Sequence, residues 1–255
     1  MCPATKILAS LLLANLLLPQ LARADTVNVA VAANFAAPMK EIAQAFEKES
    51  GHQLNVSVGS TGKLFSQIKN GAPFDVFLAA DTKTPEQAEK AGMAVPNTRF
   101  TYAIGKLVLW SPNTRFINDG ASTLKIGQFE RIAMANPKVA PYGKATEQVV
   151  EELDLVDTLR DKWVFGQSIG QTYQFVASGN VPLGFVALSQ VFSRGKVQSG
   201  SAWIVPQNMY TPLAQDAQLL KQGQNNVAAT ALIAFLKSPT AVAIIESFGY
   251  GLPER

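Results

Sequence analysis

The stretch Gly166-Gln167-Ser168-Ile169-Gly170 matches the G-x-S-x-G pattern in which a hydrolase presents a nucleophilic serine. Such a serine needs a histidine later in the chain to take its proton. The only histidine, His52, lies more than a hundred residues earlier, so the serine–acid–histidine order of that fold cannot be built. A secreted hydrolase using Ser168 is therefore the remote alternative. The competing reading is that this loop holds a ligand.

Three other stretches share its design: Ala33-Asn34-Phe35, Ser60-Thr61-Gly62 and Pro141-Tyr142-Gly143. Each of these loops, like Ser168-Ile169-Gly170, stands where a strand pattern gives way to a helical one. In open α/β sheets ligands bind at the carboxyl ends of strands. A helix start there offers unpaired N–H groups and the positive end of its dipole to an anion. Asn34, Ser60, Thr61, Tyr142 and Ser168 all donate hydrogen bonds and none is charged. Such a set encloses a dianion without burying a side-chain cation. It disfavours a protonated anion, whose own O–H would be left unpaired at a cost of about 1–3 kcal/mol. Taken singly, a Ser, Thr or Asn before a helix reads as an N-cap contributing about 1 kcal/mol; four such loops, two in each half, favour a shared site. Lys63 and Lys144 read as solvated, and Asp81 as a cap for the helix at Thr84-Pro85. No carboxylate pair has catalytic spacing and a lone His52 makes no metal site, so neither a catalytic residue nor a protein-ligated metal is expected.

The elements that must position these loops follow from periodicity. Val27, Val29 and Val31 alternate as a strand over 26–32, and Met39, Ile42, Ala43 and Phe46 mark a helix over 36–49 stopped by Gly51. Strands are expected at 54–58 and 75–80, with a helix from Lys63 between them and another from Thr84. The alternation resumes with strands at 106–110, 131–135, 162–165 and 184–188 and helices at 144–155 and 171–178. Two amphipathic helices, 227–236 and 239–248, close the chain. This order implies α/β architecture with helices flanking parallel strands. The expected division is residues 25–104 with 211–255 as one lobe and 105–210 as the other.

The N-terminus reads as an export signal: Lys6, an apolar run over 7–18, then Ala22-Arg23-Ala24 as a cleavage pattern after Ala24. The mature chain would then lack cysteine, since Cys2 is the only one, which excludes disulfides and thiolate metal sites. No second apolar stretch approaches membrane-spanning length, so a soluble mature protein is expected. The net charge of +3 comes from scattered rather than clustered Lys and Arg, which argues against nucleic acid as a partner.

Val31-Ala-Ala-Asn-Phe35, Gly59-Ser-Thr-Gly-Lys-Leu64, the run Asn70-Gly-Ala-Pro-Phe-Asp-Val-Phe-Leu-Ala-Ala-Asp81, Ala140-Pro-Tyr-Gly143, the segment 179–186 and the closing segments Phe235-Leu-Lys-Ser-Pro239 and Phe248-Gly-Tyr-Gly-Leu-Pro253 resemble the periplasmic molybdate-binding proteins of ABC importers. The similarity covers essentially the whole mature chain. It implies a type II periplasmic binding protein fold, with two lobes, each a mostly parallel sheet flanked by helices. The implied function is capture of molybdate or tungstate between the lobes in the periplasm and delivery to an inner-membrane ABC permease, by a monomer with no cofactor and no chemistry. Carried over by position, the oxyanion donors fall on Asn34 beside Ala33, on Thr61 beside Ser60, on Tyr142 and on the backbone of Ile169. One departure is visible. Many members place a ligand tyrosine where this chain has Ala187, and Tyr142 is expected to supply the missing phenol. Other readings are a receptor for sulfate or thiosulfate and, from another class, an adhesin or assembly protein with no ligand.

Overall fold

The computed structural model describes residues 25–253; the leader expected before Asp25 lies outside them. The first sheet is built by β1 (Thr26–Ala32), β2 (Gln53–Gly59), β3 (Val76–Leu78), β4 (Phe100–Gly105) and the late strand β12 (Leu213–Leu219), in the order β2-β1-β3-β12-β4. The second is built by β5 (Leu107–Ser111), β6 (Ile132–Ala135), β7 (Trp163–Gly166), β8 (Gly184–Ala187) and β11 (Ser201–Ile204), in the order β11-β5-β8-β6-β7. A short ribbon of β9 (Phe192–Ser193) and β10 (Lys196–Val197) stands apart.

Helices α1 (Ala36–Ser50), α2 (Thr61–Lys69), α3 (Lys83–Lys90), α9 (Val227–Phe235) and α10 (Pro239–Ser247) accompany the first sheet. Those between its second-sheet counterparts are α4 (Gly120–Ile126), α5 (Pro141–Glu152), α6 (Val156–Leu159), α7 (Ile169–Ala177) and α8 (Leu188–Val191).

Each sheet has a single reversed strand. In the first, β12 runs antiparallel to both β3 and β4 while β1, β2 and β3 are parallel. In the second, β5 runs antiparallel to β8 and β11 while β6, β7 and β8 are parallel. The reason is topological. Most strands run toward the loops at their carboxyl ends, but β5 and β12 enter their sheets from the crossover and so run away from it. Only Lys106 separates β4 from β5, and residues 205–212 carry the chain back from β11 to β12.

Packing follows the sequence pattern closely. Val27, Val29 and Val31 of β1 are fully buried against Phe35, Met39, Ile42 and Phe46, with Leu232, Ile233 and Ile245 of α9 and α10 in the same cluster. The two closing helices thus complete the first sheet's core. α1 ends where Gly51 takes the left-handed conformation at φ 74°, which a residue without Cβ adopts at no steric cost. Among the described residues no single helix is long and apolar enough to cross a membrane.

Two helices begin earlier than their sequence suggests: α2 at Thr61 rather than Lys63, and α5 at Pro141 rather than Lys144. The Gly and Pro that read as turn residues are the first turns themselves. Pro141 occupies the first helical position, where its fixed φ suits the helix and its missing N–H costs nothing. Thr61 and Tyr142 are therefore held on helices and not on loops.

Candidate functional site

Four helix starts converge between the sheets: the short 3₁₀ turn Ala33–Phe35 leading into α1, and the first turns of α2, α5 and α7. They wall a small cavity lined by Ala32, Ala33, Asn34, Ser60, Thr61 and Ala80 from the first sheet's side and Ala140, Pro141, Tyr142 and Ile169 from the second's. All six residues singled out in the sequence meet here. No lining residue is charged. A larger open groove on the second sheet's outer side, lined by Val156, Arg160, Trp163 and Phe165 among others, receives none of the six.

The lobes touch at the edge of the cavity. The Gly62 N–H donates to the Val139 carbonyl at 3.0 Å, joining α2 to the segment before α5. A Cβ at Gly62 would stand 3.1 Å from the Val139 Cα, so the two lobes approach at a position only glycine fits without displacement.

Which groups are free to meet a guest is decided by their other bonds. Ser60 sits at the N-cap of α2 with extended backbone, yet its Oγ caps nothing, and it is buried without any partner. The Ala80 N–H donates to Thr61 Oγ1 at 2.9 Å, leaving the hydroxyl proton of Thr61 to donate elsewhere. Gln215 Nε2 donates to the Tyr142 phenol oxygen at 3.2 Å, with the same consequence. Burial raises the Tyr142 phenol well above the usual tyrosine value, so it stays protonated. The first N–H groups of α2 and α7 lack helical partners, as at any helix start, and Ile169 holds the first position of α7. These are donors, and acceptor-rich guests are what they can hold.

Asn34 behaves differently from its sequence expectation. Its side-chain amide donates to Gln215 Oε1 at 2.7 Å and to the Tyr250 phenol at 2.9 Å, so both N–H groups are spent away from the cavity. Its Oδ1 is buried and unpartnered. What Asn34 can offer an anion in this arrangement is its backbone N–H, in the first turn of the 3₁₀ segment. Its carbonyl accepts from Ser189 Oγ at 2.7 Å and from the Tyr250 hydroxyl at 2.9 Å. A fully buried polar network of Asn34, Tyr102, Ser189, Gln215 and Tyr250 therefore backs the cavity.

Sequence reasoning missed that network. Gln215 lies in Leu213-Ala-Gln-Asp-Ala-Gln-Leu219, whose Gln and Asp have low strand propensity, so β12 gave no signal. Tyr210, read as a core aromatic, is also part of the crossover: its hydroxyl accepts from the Leu107 N–H at 3.1 Å.

Ser168 is a cap. Its Oγ accepts from the Gln171 N–H at 3.1 Å, and it does not line the cavity. His52 lies at the other end of the first sheet, where Nδ1 accepts from the Asp25 N–H at 3.3 Å. The hydrolase reading has no geometry to stand on. Among the described residues no group of three or more His, Cys, Asp or Glu could hold a metal ion. Asp81 caps the start of α3 through Thr84, as its position suggests, and burial raises its carboxyl pKa. Ala187 ends β8 within the same apolar cluster as Tyr142 and Ile169.

Beside the cavity a wider cleft opens to solvent, sharing Ala80, Ala140 and Pro141 with it and bordered by Lys83, Lys138 and Lys144 against the single carboxylate of Asp81. Exposed cations at the mouth and neutral donors within give an anion a favourable field on approach without a buried charge at the end.

Comparison with known proteins agrees with this geometry. A family model described as bacterial extracellular solute-binding protein matches residues 27–251. The chain is 54% identical over 231 residues to the molybdate-binding protein ModA of Azotobacter vinelandii, covering 91% of this chain and 92% of that one. It is 48% identical over 229 residues to the ModA of Rhodobacter capsulatus, covering 90% and 89%. The solved structure of the Azotobacter vinelandii periplasmic molybdate-binding protein superposes with a TM-score of 0.87 at 41% identity, covering 89% of this chain and all of that one. The chain belongs to the ModA family of bacterial extracellular solute-binding proteins, a family that binds and transports rather than catalyses.

Proposed function

We propose that the protein captures molybdate or tungstate in the cavity between its lobes and delivers it to the permease of an ABC importer. The observation that carries this reading is a cavity walled by uncharged donors from both sheets, where Ser60 Oγ has no partner and the Thr61 and Tyr142 hydroxyls each accept a bond and keep a proton to donate. A tetrahedral dianion accepts at every oxygen. It gains more from the closed form, in which both lobes donate, than from any form in which one does, and that differential affinity is what shifts the lobes to closure.

The ligand set of this reading is Ser60 Oγ, Thr61 Oγ1, the Tyr142 phenol and the backbone N–H groups of Ala33, Asn34 and Ile169. Tyr142 reaches the cavity from the first turn of α5, supplying a phenol where the chain has Ala187 in β8. The lobes are residues 25–104 with 211–255 and residues 105–210, hinged at Lys106 and 205–212. The protein works as a periplasmic monomer after removal of residues 1–24, with no cofactor and no nucleic-acid partner.

A thermal-unfolding panel of molybdate, tungstate, sulfate, chromate and phosphate tests this. Ligand at a hundredfold excess over its Kd adds about 2.7 kcal/mol of stability. That corresponds to a rise of about 5–10 °C for a chain of this size. Molybdate and tungstate should give it and phosphate should not. No shift with any oxyanion would leave the adhesin-like reading.

A further inference from the structure

We propose that Gln215 is a positioning residue that sets oxyanion selectivity by locking the Tyr142 phenol as a donor into the cavity. The inference rests on the proposed function and assigns the discrimination to a residue outside the cavity wall.

Gln215 is fully buried on β12, with its side chain directed at α5 of the opposite lobe. Its Oε1 receives two donors, Asn34 Nδ2 at 2.7 Å and the Tyr102 hydroxyl at 3.0 Å. The amide NH₂ is consequently the end that faces Tyr142, at 3.2 Å from the phenol oxygen. With that side of its oxygen taken, the phenol keeps its own proton to donate elsewhere, to a guest in the cavity or to the Tyr250 hydroxyl it also contacts. Thr61 is set the same way by the Ala80 N–H. Two hydroxyls that could each turn either way thus have one acceptor side occupied, and a guest oxyanion draws both protons inward.

The consequence is chemical. A hydroxyl free to rotate can accept from a protonated anion as readily as it donates to a bare one. A hydroxyl held as a donor cannot, so an anion that carries a proton loses two of its possible acceptors and is left with Ser60 Oγ and Asn34 Oδ1. Gly105 makes the arrangement possible. A Cβ there would collide with both the Tyr142 hydroxyl and Gln215 Nε2, so the pair occupies the space of a missing side chain at the end of β4.

Gln215→Met keeps the length and removes the donor; it also takes the acceptor from one Asn34 N–H, while Asn34 retains Tyr250 and Tyr102 retains the Ala79 carbonyl at 3.0 Å. Calorimetric titration with molybdate and with hydrogen phosphate would compare wild type, Gln215→Met, Tyr142→Phe and the double variant, with Gln215→Leu as a second replacement should methionine fail to fold. We expect Gln215→Met to lose about tenfold in molybdate affinity. Hydrogen phosphate should not weaken in parallel, so the preference narrows. The double variant should bind no worse than Tyr142→Phe, because Gln215 acts through that phenol. Undiminished or improved molybdate affinity in Gln215→Met, or losses that simply add in the double variant, would overturn the inference alone. Wild-type protein that ignores molybdate would overturn the proposed function and this inference together.

Discussion

Two serines hold the same position on two helices and do opposite things. Ser168 precedes α7 and turns its Oγ back to the Gln171 N–H, satisfying its own helix. Ser60 precedes α2 with the same extended backbone, but its buried Oγ caps nothing and has no partner. Two more helix starts, at Asn226 and Ser238, follow Ser168 and cap in the ordinary way. The difference teaches how to tell a structural serine from a binding one. A cap contributes to its helix in every state of the protein, whereas a hydroxyl left buried and unpaired is a cost that a bound ligand or water removes.

Ser60→Asp should break the comparison most severely. Aspartate is a good N-cap and complements the helix dipole, so the unliganded protein should unfold no earlier than wild type. A carboxylate among the donors should nonetheless abolish oxyanion binding, measured as loss of the calorimetric signal. Next in size, Thr61→Ala and Tyr142→Phe should each weaken molybdate binding by about tenfold, with unchanged circular dichroism. The paired substitutions to alanine sharpen the contrast. Ser168→Ala should cost about 1 kcal/mol of stability, or about 2–4 °C in the unfolding midpoint, and leave the Kd close to wild type. Ser60→Ala should do the reverse, weakening binding while the unliganded midpoint holds. The smallest effect concerns pH. Because burial raises the Tyr142 phenol, the donor persists through the pH at which an exposed tyrosine ionises, about 10. Molybdate affinity should therefore stay flat from neutral pH up to that point, and a fall centred there would show an exposed phenol.

Loops before helices carry recognisable residues: Asn34, Ser60, Thr61 and Tyr142 were marked in this way and Ile169 by the family resemblance, and all five line one cavity, whereas Ser168, marked with them, does not. What composition could not reveal is direction. Asn34 looks like a side-chain donor in the sequence, but its amide is drawn to Gln215 and Tyr250, partners about 180 and 216 residues away in the chain. Alternation located β1 and β2, and an unbroken apolar run located β3. No such pattern located β12, whose buried Gln215, Asp216 and Gln218 interrupt any apolar alternation. Strands that pass between lobes obey hydrogen-bonding needs at the crossover more than a face pattern. Helix boundaries slipped where Gly62 and Pro141 punctuate the sequence but lie inside first turns.

The central claim is that uncharged groups from both lobes surround one dianion. A crystal structure of the molybdate complex, with the molybdenum located by its anomalous scattering, tests it most directly. The account predicts a single metal peak in the cavity, with oxyanion oxygens about 2.7–3.2 Å from Ser60 Oγ, the Tyr142 phenol and the Ile169 N–H. A peak among Lys83, Lys138 and Lys144 in the outer cleft, with the cavity empty, would contradict it.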